Sequence, residues 1–307
     1  MTKIDLITGF LGSGKTTLLK KYLNYLLDKG ENICVLEFDY GAVNVDMMLL
    51  QEFNNRCDLE MVAGGCDYDC HLRRFKTKLI AMGMRHYDRV IIEPSGIFDP
   101  TELFDVLNEE PLDQWYEIGS IISVVDPNNF NLSNESRGIL ATQLSYAGLV
   151  YLSKCQTLTK SQIENSIRNL QGLVGQYGLY LDENKILTKD INKLDEEDYQ
   201  KLKSASYQEL GIPMSNLMTN NSFNSVYLLD KNLSLDKINK LSNKLFKDNT
   251  YGEVLRIKGF IKDNDTWYEF NKTHTENNVK EIQNGQDVII IIGENLDENE
   301  INGLFSK

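Results

Sequence analysis

Five short runs in the first half of the chain are almost wholly apolar: IDLITG (4–9), NICVLEF (32–38), RVIIEPSG (89–96), GSIISVVD (119–126) and GLVYLSK (148–154). They lack the strict alternation of a strand with one wet face. Such runs fit strands covered on both sides, as in a parallel sheet. The stretch TTLLKKYLNYLLDKG (16–30) repeats at helical spacing instead. Leu18, Leu19, Tyr22, Leu23, Leu26 and Leu27 share one face, and Gly30 is placed to end the helix. Strands alternating with helices of this kind predict a doubly wound α/β domain with a mostly parallel sheet.

From 155 to 220 the pattern predicts polar helices, with the acidic patch LDEEDY. TNNSFNS (219–225) reads as a loop or domain boundary. Beyond it, SVYLLD, GEVLRIKGFI, TWYEFN and QDVIIIIGE predict strands, and SLDKINKLSNKLFKD and LDENEINGLF predict helices. The expected organisation is a nucleotide-binding domain over 1–220 and a small α+β domain over 223–307.

Composition narrows the function classes. The 307 residues are 41% hydrophobic and 25% charged, ordinary for a soluble globular protein. A formal net charge of -13 argues against nucleic-acid binding driven by phosphate neutralisation. No stretch approaches the apolar length of a membrane span, and the opening MTKIDLITGF does not read as a signal peptide. Five cysteines in no regular framework suit free thiols in a reducing compartment, so the expected location is cytoplasmic.

The densest chemistry lies at 9–17, GFLGSGKTT, which fits G-x-x-x-x-G-K-[ST] between the first strand and the first helix. Gly9, Gly12 and Gly14 let the backbone wrap closely around phosphate oxygens, so that N–H groups there and at Ser13 point inwards. The helix beginning near Thr17 adds its dipole. Lys15 is the expected bridge to the β- and γ-phosphates, and the Thr16 hydroxyl is the expected Mg²⁺ ligand. Glu93 ends an apolar strand, where a carboxylate holds Mg²⁺ through water, and the Gly96 N–H is placed to approach a γ-phosphate. Lys15 and Glu93 are the candidate catalytic residues. Asp126 closes a strand on the same sheet edge, where it reads equally as a site residue or a helix N-cap.

These motifs, in this order, resemble the CobW/HypB/UreG family of P-loop GTPases, its CobW-like branch most closely. The likeness rests on GFLGSGKTT, DYGAVNVD (39–46), GGC (64–66), EPSG (93–96), VVDP (124–127) and GEVLRIKGF (252–260). It implies hydrolysis of a purine nucleoside triphosphate, coupled to delivery of a metal to a client metalloprotein or cofactor pathway, and a possible nucleotide-dependent homodimer. Two departures stand out. The family's guanine-reading Asn-Lys-x-Asp falls at 153–156, where this chain has Ser153, Lys154, Cys155 and Gln156. The carboxylate that would accept from guanine is replaced by a neutral amide, so both GTP and ATP remain open. The family's Gly-Cys-x-Cys-Cys becomes GCDYDC: Cys66 matches the first cysteine, Tyr68 and Asp69 stand at the next two, and Cys70 comes one residue late.

Cys66 and Cys70 are spaced to reach one ion from a loop or a helical turn, and the resemblance points to Asp39 as a third ligand. Cys57, Asp67, Asp69 and His71 are reserves. Such a set suits Zn²⁺, with Co²⁺ or Ni²⁺ as alternatives. Cys34 is expected in the core, and Cys155 either touches the nucleotide or packs. His86 and His274 read as ordinary histidines. HLRRFKTK (71–78) reads as the solvated face of a helix. Two rival functions remain at this stage: an ATP-using P-loop kinase, and a non-catalytic nucleotide-gated scaffold for a metalloenzyme or a corrinoid partner.

Overall fold

The computed structural model describes residues 1–39, 46–63, 68–128, 132–207 and 223–306. The chain divides into two compact units, Met1–Met218 and Thr219–Lys307.

The first unit is built on seven strands: β1 (Thr2–Thr8), β2 (Ile33–Asp39), β3 (Asp58–Ala63), β4 (Arg89–Pro94), β5 (Tyr116–Val125), β6 (Leu149–Leu152) and β7 (Ile186–Leu187). They lie in the order β3-β2-β4-β1-β5-β6-β7, and every neighbouring pair is parallel. The apolar runs become β1, β2, β4, β5 and β6, and their lack of alternation has a visible cause. Ile4, Leu6, Leu36, Phe38, Val90 and Ile92 enter one buried layer, while Ile7, Val35 and Ile91 enter the other. Both faces of the pleat are dry. The second layer is closed by α1 (Lys15–Asp28), whose Leu18, Leu19, Tyr22, Leu23 and Leu26 are wholly buried. After the short α2 (Asp46–Leu49), the first is closed by α3 (Tyr68–Gly83), through Phe75, Leu79 and Met82, and by α4 (Pro100–Leu107) and α5 (Leu112–Trp115). Arg73 and Arg74 of α3 face solvent, as the basic stretch predicted. Two further helices, α6 (Asn134–Tyr146) and α7 (Lys160–Gly175), pack with β6.

β3 and β7 fall outside the sequence-based reading. Both are edge strands, so neither needs the two-sided apolar signature of the centre. β7 lies in the stretch expected to be wholly helical; it spans two residues between short 3₁₀ turns and precedes α8 (Glu196–Lys203). Because all the strands are parallel, their carboxyl ends gather at one edge, and the loops after β1, β4, β5 and β6 meet there.

The second unit carries β8 (Phe223–Leu229), β9 (Glu253–Asp263), β10 (Thr266–Thr273), β11 (Asn277–Ile282) and β12 (Val288–Glu294), in the antiparallel order β11-β10-β9-β12-β8. α9 (Leu235–Leu245) and α10 (Glu298–Phe305) cover it through Ile238, Leu245, Ile301 and Phe305. β11 escaped the sequence reading because its residues are almost all exposed, which leaves no apolar pattern to detect. No helix among the described residues is long and apolar enough to cross a membrane.

Buried polar residues also sit inside the runs read as apolar, Asp5, Glu37, Ser120 and Ser123 among them. Asp5, in the middle of β1, is fully buried. Its Oδ1 accepts from Arg89 Nη1 at 2.5 Å and from the Ser120 N–H at 2.7 Å, and its Oδ2 accepts from the Tyr22 hydroxyl at 2.8 Å. The β1–β5 register shifts between Ile4 and Leu6, so the carboxylate replaces a ladder partner for Ser120. Arg89→Met should strand that carboxylate and destabilise the chain by about 3–5 kcal/mol, while Asp5→Leu/Arg89→Met should recover much of the loss. Denaturant melts of the two variants measure this; equal losses in both would show that the pair does not act as a unit.

Candidate functional site

The carboxyl edge of the sheet is assembled by backbone contacts too close for side chains. β1 ends at Gly9, which has φ 145°, and a Cβ there would lie 2.2 Å from the Val124 carbonyl oxygen of β5. Gly12 and Gly14 also take positive φ, 74° and 98°, as a loop folded back over a helix N-terminus requires. Gly14 is the N-cap of α1 and makes no side-chain cap, so α1 opens with amides uncommitted to any capping side chain. Lys15 is buried, and its Nζ rests 2.9 Å from the Gly9 carbonyl oxygen. Ser13 is buried within the same loop, whereas Thr17 is exposed on the first turn of α1.

The two residues expected to share Mg²⁺ are in direct contact: the Thr16 hydroxyl donates to Glu93 Oε1 at 2.8 Å. Their separation of 77 in sequence is closed by the parallel pairing of β1 with β4. Two residues later the chain turns across the glycine-rich loop. A Cβ on Gly96 would stand 2.7 Å from both the backbone nitrogen and Cδ2 of Leu11. From the other side Gln143, buried on α6, donates its amide to the carbonyl oxygens of Gly96 (3.1 Å) and Phe98 (3.2 Å). Gln143 was missed in the sequence, where ATQLSY offers no signal beyond helical spacing. Its Oε1 is buried with no hydrogen-bond partner among the described residues. Loop 95–98 is therefore clamped between the phosphate loop and α6.

The loop after β6 closes the site. Ser153 is buried, with its N–H and hydroxyl both given to the Val125 carbonyl oxygen, at 2.9 and 3.1 Å. Lys154 takes a left-handed backbone, φ 57°, and its Nζ reaches the Gly12 carbonyl oxygen (3.0 Å) and Asp126 Oδ2 (2.6 Å). Asp126 is thus neither a helix N-cap nor free. Its other oxygen accepts from the Asn128 N–H at 2.9 Å and so fixes the turn, while Ser133 caps α6. Gln156 is exposed at the position where the family carries the guanine-reading Asp. Cys155 packs inwards, with its Sγ 3.1 Å from the Leu152 carbonyl oxygen. Burial, helped by the Asp126 charge, pushes its thiol up to about 11, so it stays protonated at neutral pH. Of the two readings of Cys155, packing fits this geometry. Cys34 lies in the core, pushed up to about 12 chiefly by burial.

The metal loop falls largely outside the described residues. Cys66 and Asp67 lie there, as do the side chains of Asp39 and Asp69. What is described is the frame. Asp39, the last residue of β2, pairs with Ala63, the last residue of β3. Cys70 is half-buried on the first turn of α3. Two of the reserve ligands lie among the described residues. Cys57 precedes β3, at the opposite end of the strand, roughly 20 Å away at the rise of a β-strand. His71 is buried, with its ring 4.4 Å from Phe38, so it belongs to the core. Among the described residues no group of three or more His, Cys, Asp or Glu is arranged to hold a metal.

The model of the CobW/HypB/UreG nucleotide-binding domain matches residues 3–177, more than half of the chain. The chain belongs to the CobW/HypB/UreG family. Among curated proteins it is 30% identical over 158 residues to zinc chaperone YjiA of Escherichia coli, covering 49% of this chain and 48% of that one. Zinc chaperone YeiR of the same organism is 30% identical over 168 residues, covering 52% and 48%. Zinc-regulated GTPase metalloprotein activator 1 of Dictyostelium discoideum is 26% identical over 213 residues, covering 56% and 42%. The chain spans about half the length of the curated relatives it matches. CobW/HypB/UreG membership places the P-loop, loop 93–96 and segment 153–156 in one nucleotide-binding domain, the same residues that the fold gathers at its carboxyl edge.

Gln143→Leu should leave two buried carbonyls without a donor and cost about 2 kcal/mol of stability. Denaturant unfolding of the variant and the parent measures this; equal stability would show that the clamp does not hold the loop.

Proposed function

We propose that the chain is a Mg²⁺-dependent nucleoside triphosphatase, with GTP as its first substrate. Its nucleotide state would control the binding and release of a transition metal, zinc foremost, for delivery to a client metalloprotein in the cytoplasm. The observation that carries this reading is the Thr16–Glu93 contact of 2.8 Å beneath a glycine loop whose lysine is buried and points inwards. The kinship with proteins named zinc chaperones supports the cargo.

The donor set suits the cation: a hydroxyl and a carboxylate oxygen are the hard ligands Mg²⁺ prefers. Bound there, Mg²⁺ supplies positive charge to the β- and γ-phosphates. The chain's own residues do the rest. The backbone of 9–14 and the α1 N-terminus cradle the phosphates, and Lys15 exchanges the Gly9 carbonyl for phosphate oxygens. Gly96 brings its N–H towards the γ-phosphate, held in place by Leu11 and Gln143. β2 and β3 carry any rearrangement at this edge to Asp39 and the segment that holds Cys66. Zinc is the cargo, held by Cys66 and Cys70 with Asp39. Its affinity should differ between the triphosphate and diphosphate forms, because coupling between two binding sites is reciprocal.

Lys15→Ala should weaken Mg²⁺–GTP binding by a hundredfold or more in a calorimetric titration; binding as tight as the parent's would remove the phosphate site from this account. Cys66→Ser and Cys70→Ser should each weaken Zn²⁺ binding at least tenfold without changing GTP affinity, measured by competition with a chromophoric chelator.

The base pocket has a second reading. Gln156 offers one acceptor and one donor, which pairs with adenine as readily as with guanine. A charge-assisted bond is worth about 1.5–3 kcal/mol, so Gln156→Asp should raise GTP preference over ATP roughly tenfold to a hundredfold. Parallel titrations of both nucleotides decide it, and an unchanged ratio would show that residue 156 does not touch the base.

A further inference from the structure

α6 and α7 enclose a groove of about 380 Å³, lined by Leu132, Leu140 and Leu173 on its apolar side and by Arg137, Arg168 and Gln176 on its polar side. Leu140 and Leu173 are buried and form its floor. The two arginines are unusual for this chain. Acidic residues outnumber basic ones 45 to 32, yet neither guanidinium meets a carboxylate within the described residues. Arg168 makes only a long 3.4 Å contact with Asn165. Glu183, which accepts from Gln171 of α7, pairs with neither arginine among the described residues, nor does Glu164, one helical turn before Arg168.

A second observation points the same way. Gly172 lies inside α7 and lines the groove. Glycine in a helix interior is unfavourable relative to alanine. Its φ is not positive, and a Cβ there would meet nothing within 4 Å. Among the described residues nothing fills the space a side chain would take here or at Gly175, so this stretch of the groove has room for a backbone to pass.

We propose that this groove docks an acidic, leucine- or phenylalanine-bearing segment of a partner protein. Its apolar side chains would settle on Leu140 and Leu173, its carboxylates would pair with Arg137 and Arg168, and its backbone would pass over Gly172. Paired guanidinium forks bind carboxylates in two-point geometry, and an apolar floor between charged walls suits an amphipathic segment. The site needs no nucleotide, so it stands apart from the triphosphatase reading.

The test is selection from a displayed random-peptide library on the full chain without nucleotide, followed by anisotropy titration of the enriched peptides. Enriched sequences should place Asp or Glu beside Leu, Ile or Phe. Their affinity should fall at least tenfold for Arg137→Ala/Arg168→Ala and rise again in part for the double lysine variant, with Mg²⁺–GTP affinity unchanged. Gly172→Ala should raise the melting temperature yet weaken the same peptides. Three results would overturn the proposal. The first is neutral or basic enriched peptides, or acidic ones that bind the double alanine variant as well as the parent. The second is no enrichment together with protection of both arginines from phenylglyoxal by inorganic phosphate, which would make the groove a small-anion site. The third is self-association of the parent lost in the double variant, which would give the groove to a second copy. Failure of the parent to bind Mg²⁺–GTP would sink the triphosphatase reading and leave this one intact.

Discussion

The site depends on backbone meeting backbone where a side chain would not fit. Gly9 lies against the Val124 carbonyl and Gly96 against Leu11, each closer than any Cβ allows. These contacts bring the ends of β1, β4 and β5 into one small volume. The Thr16–Glu93 and Lys154–Gly12 contacts can form only because those strand ends are already held together. A larger residue at either glycine would push the loops apart and separate the functional groups without altering any of them.

The polar interior serves the same end. Asp5 and Arg89 sit in the dry centre of the sheet, and the carboxylate stands in for a missing ladder bond at the β1–β5 irregularity. A buried ion pair is weak evidence of stability in itself, because desolvation offsets much of the attraction. Its consequence here is register. It fixes which residues of β1 and β5 lie opposite one another, and hence where Gly9 meets Val124.

α6 links the nucleotide edge to the outer surface. Gln143 grips loop 95–98 from the inside, while Arg137, on the same helix, lines the groove against α7. A helix is stiff along its axis, so a partner seated in that groove would lean on the element that clamps Gly96. The carboxyl ends of β2 and β3, by contrast, lie on the opposite flank of the sheet from β6.

The sequence alone determined much of the architecture. Two-sided apolar runs suit covered parallel strands, and the runs at 4–9, 32–38, 89–96, 119–126 and 148–154 became β1, β2, β4, β5 and β6. The phosphate loop was legible because its glycines and its lysine are contiguous. Edge elements were not: β3, β7 and β11 bury too little to leave a pattern. Nor were long-range pairings. Nothing in a linear text distinguishes Gln143 from any other helical glutamine, or sets Asp5 apart as a buried partner of Arg89. Cys57 and His71 looked like ligands by proximity in sequence, but strand length carried one to the far end of β3 and helix phase turned the other into the core. Contacts between distant residues depend on register, twist and helix rotation, and these are fixed only when the whole sheet packs.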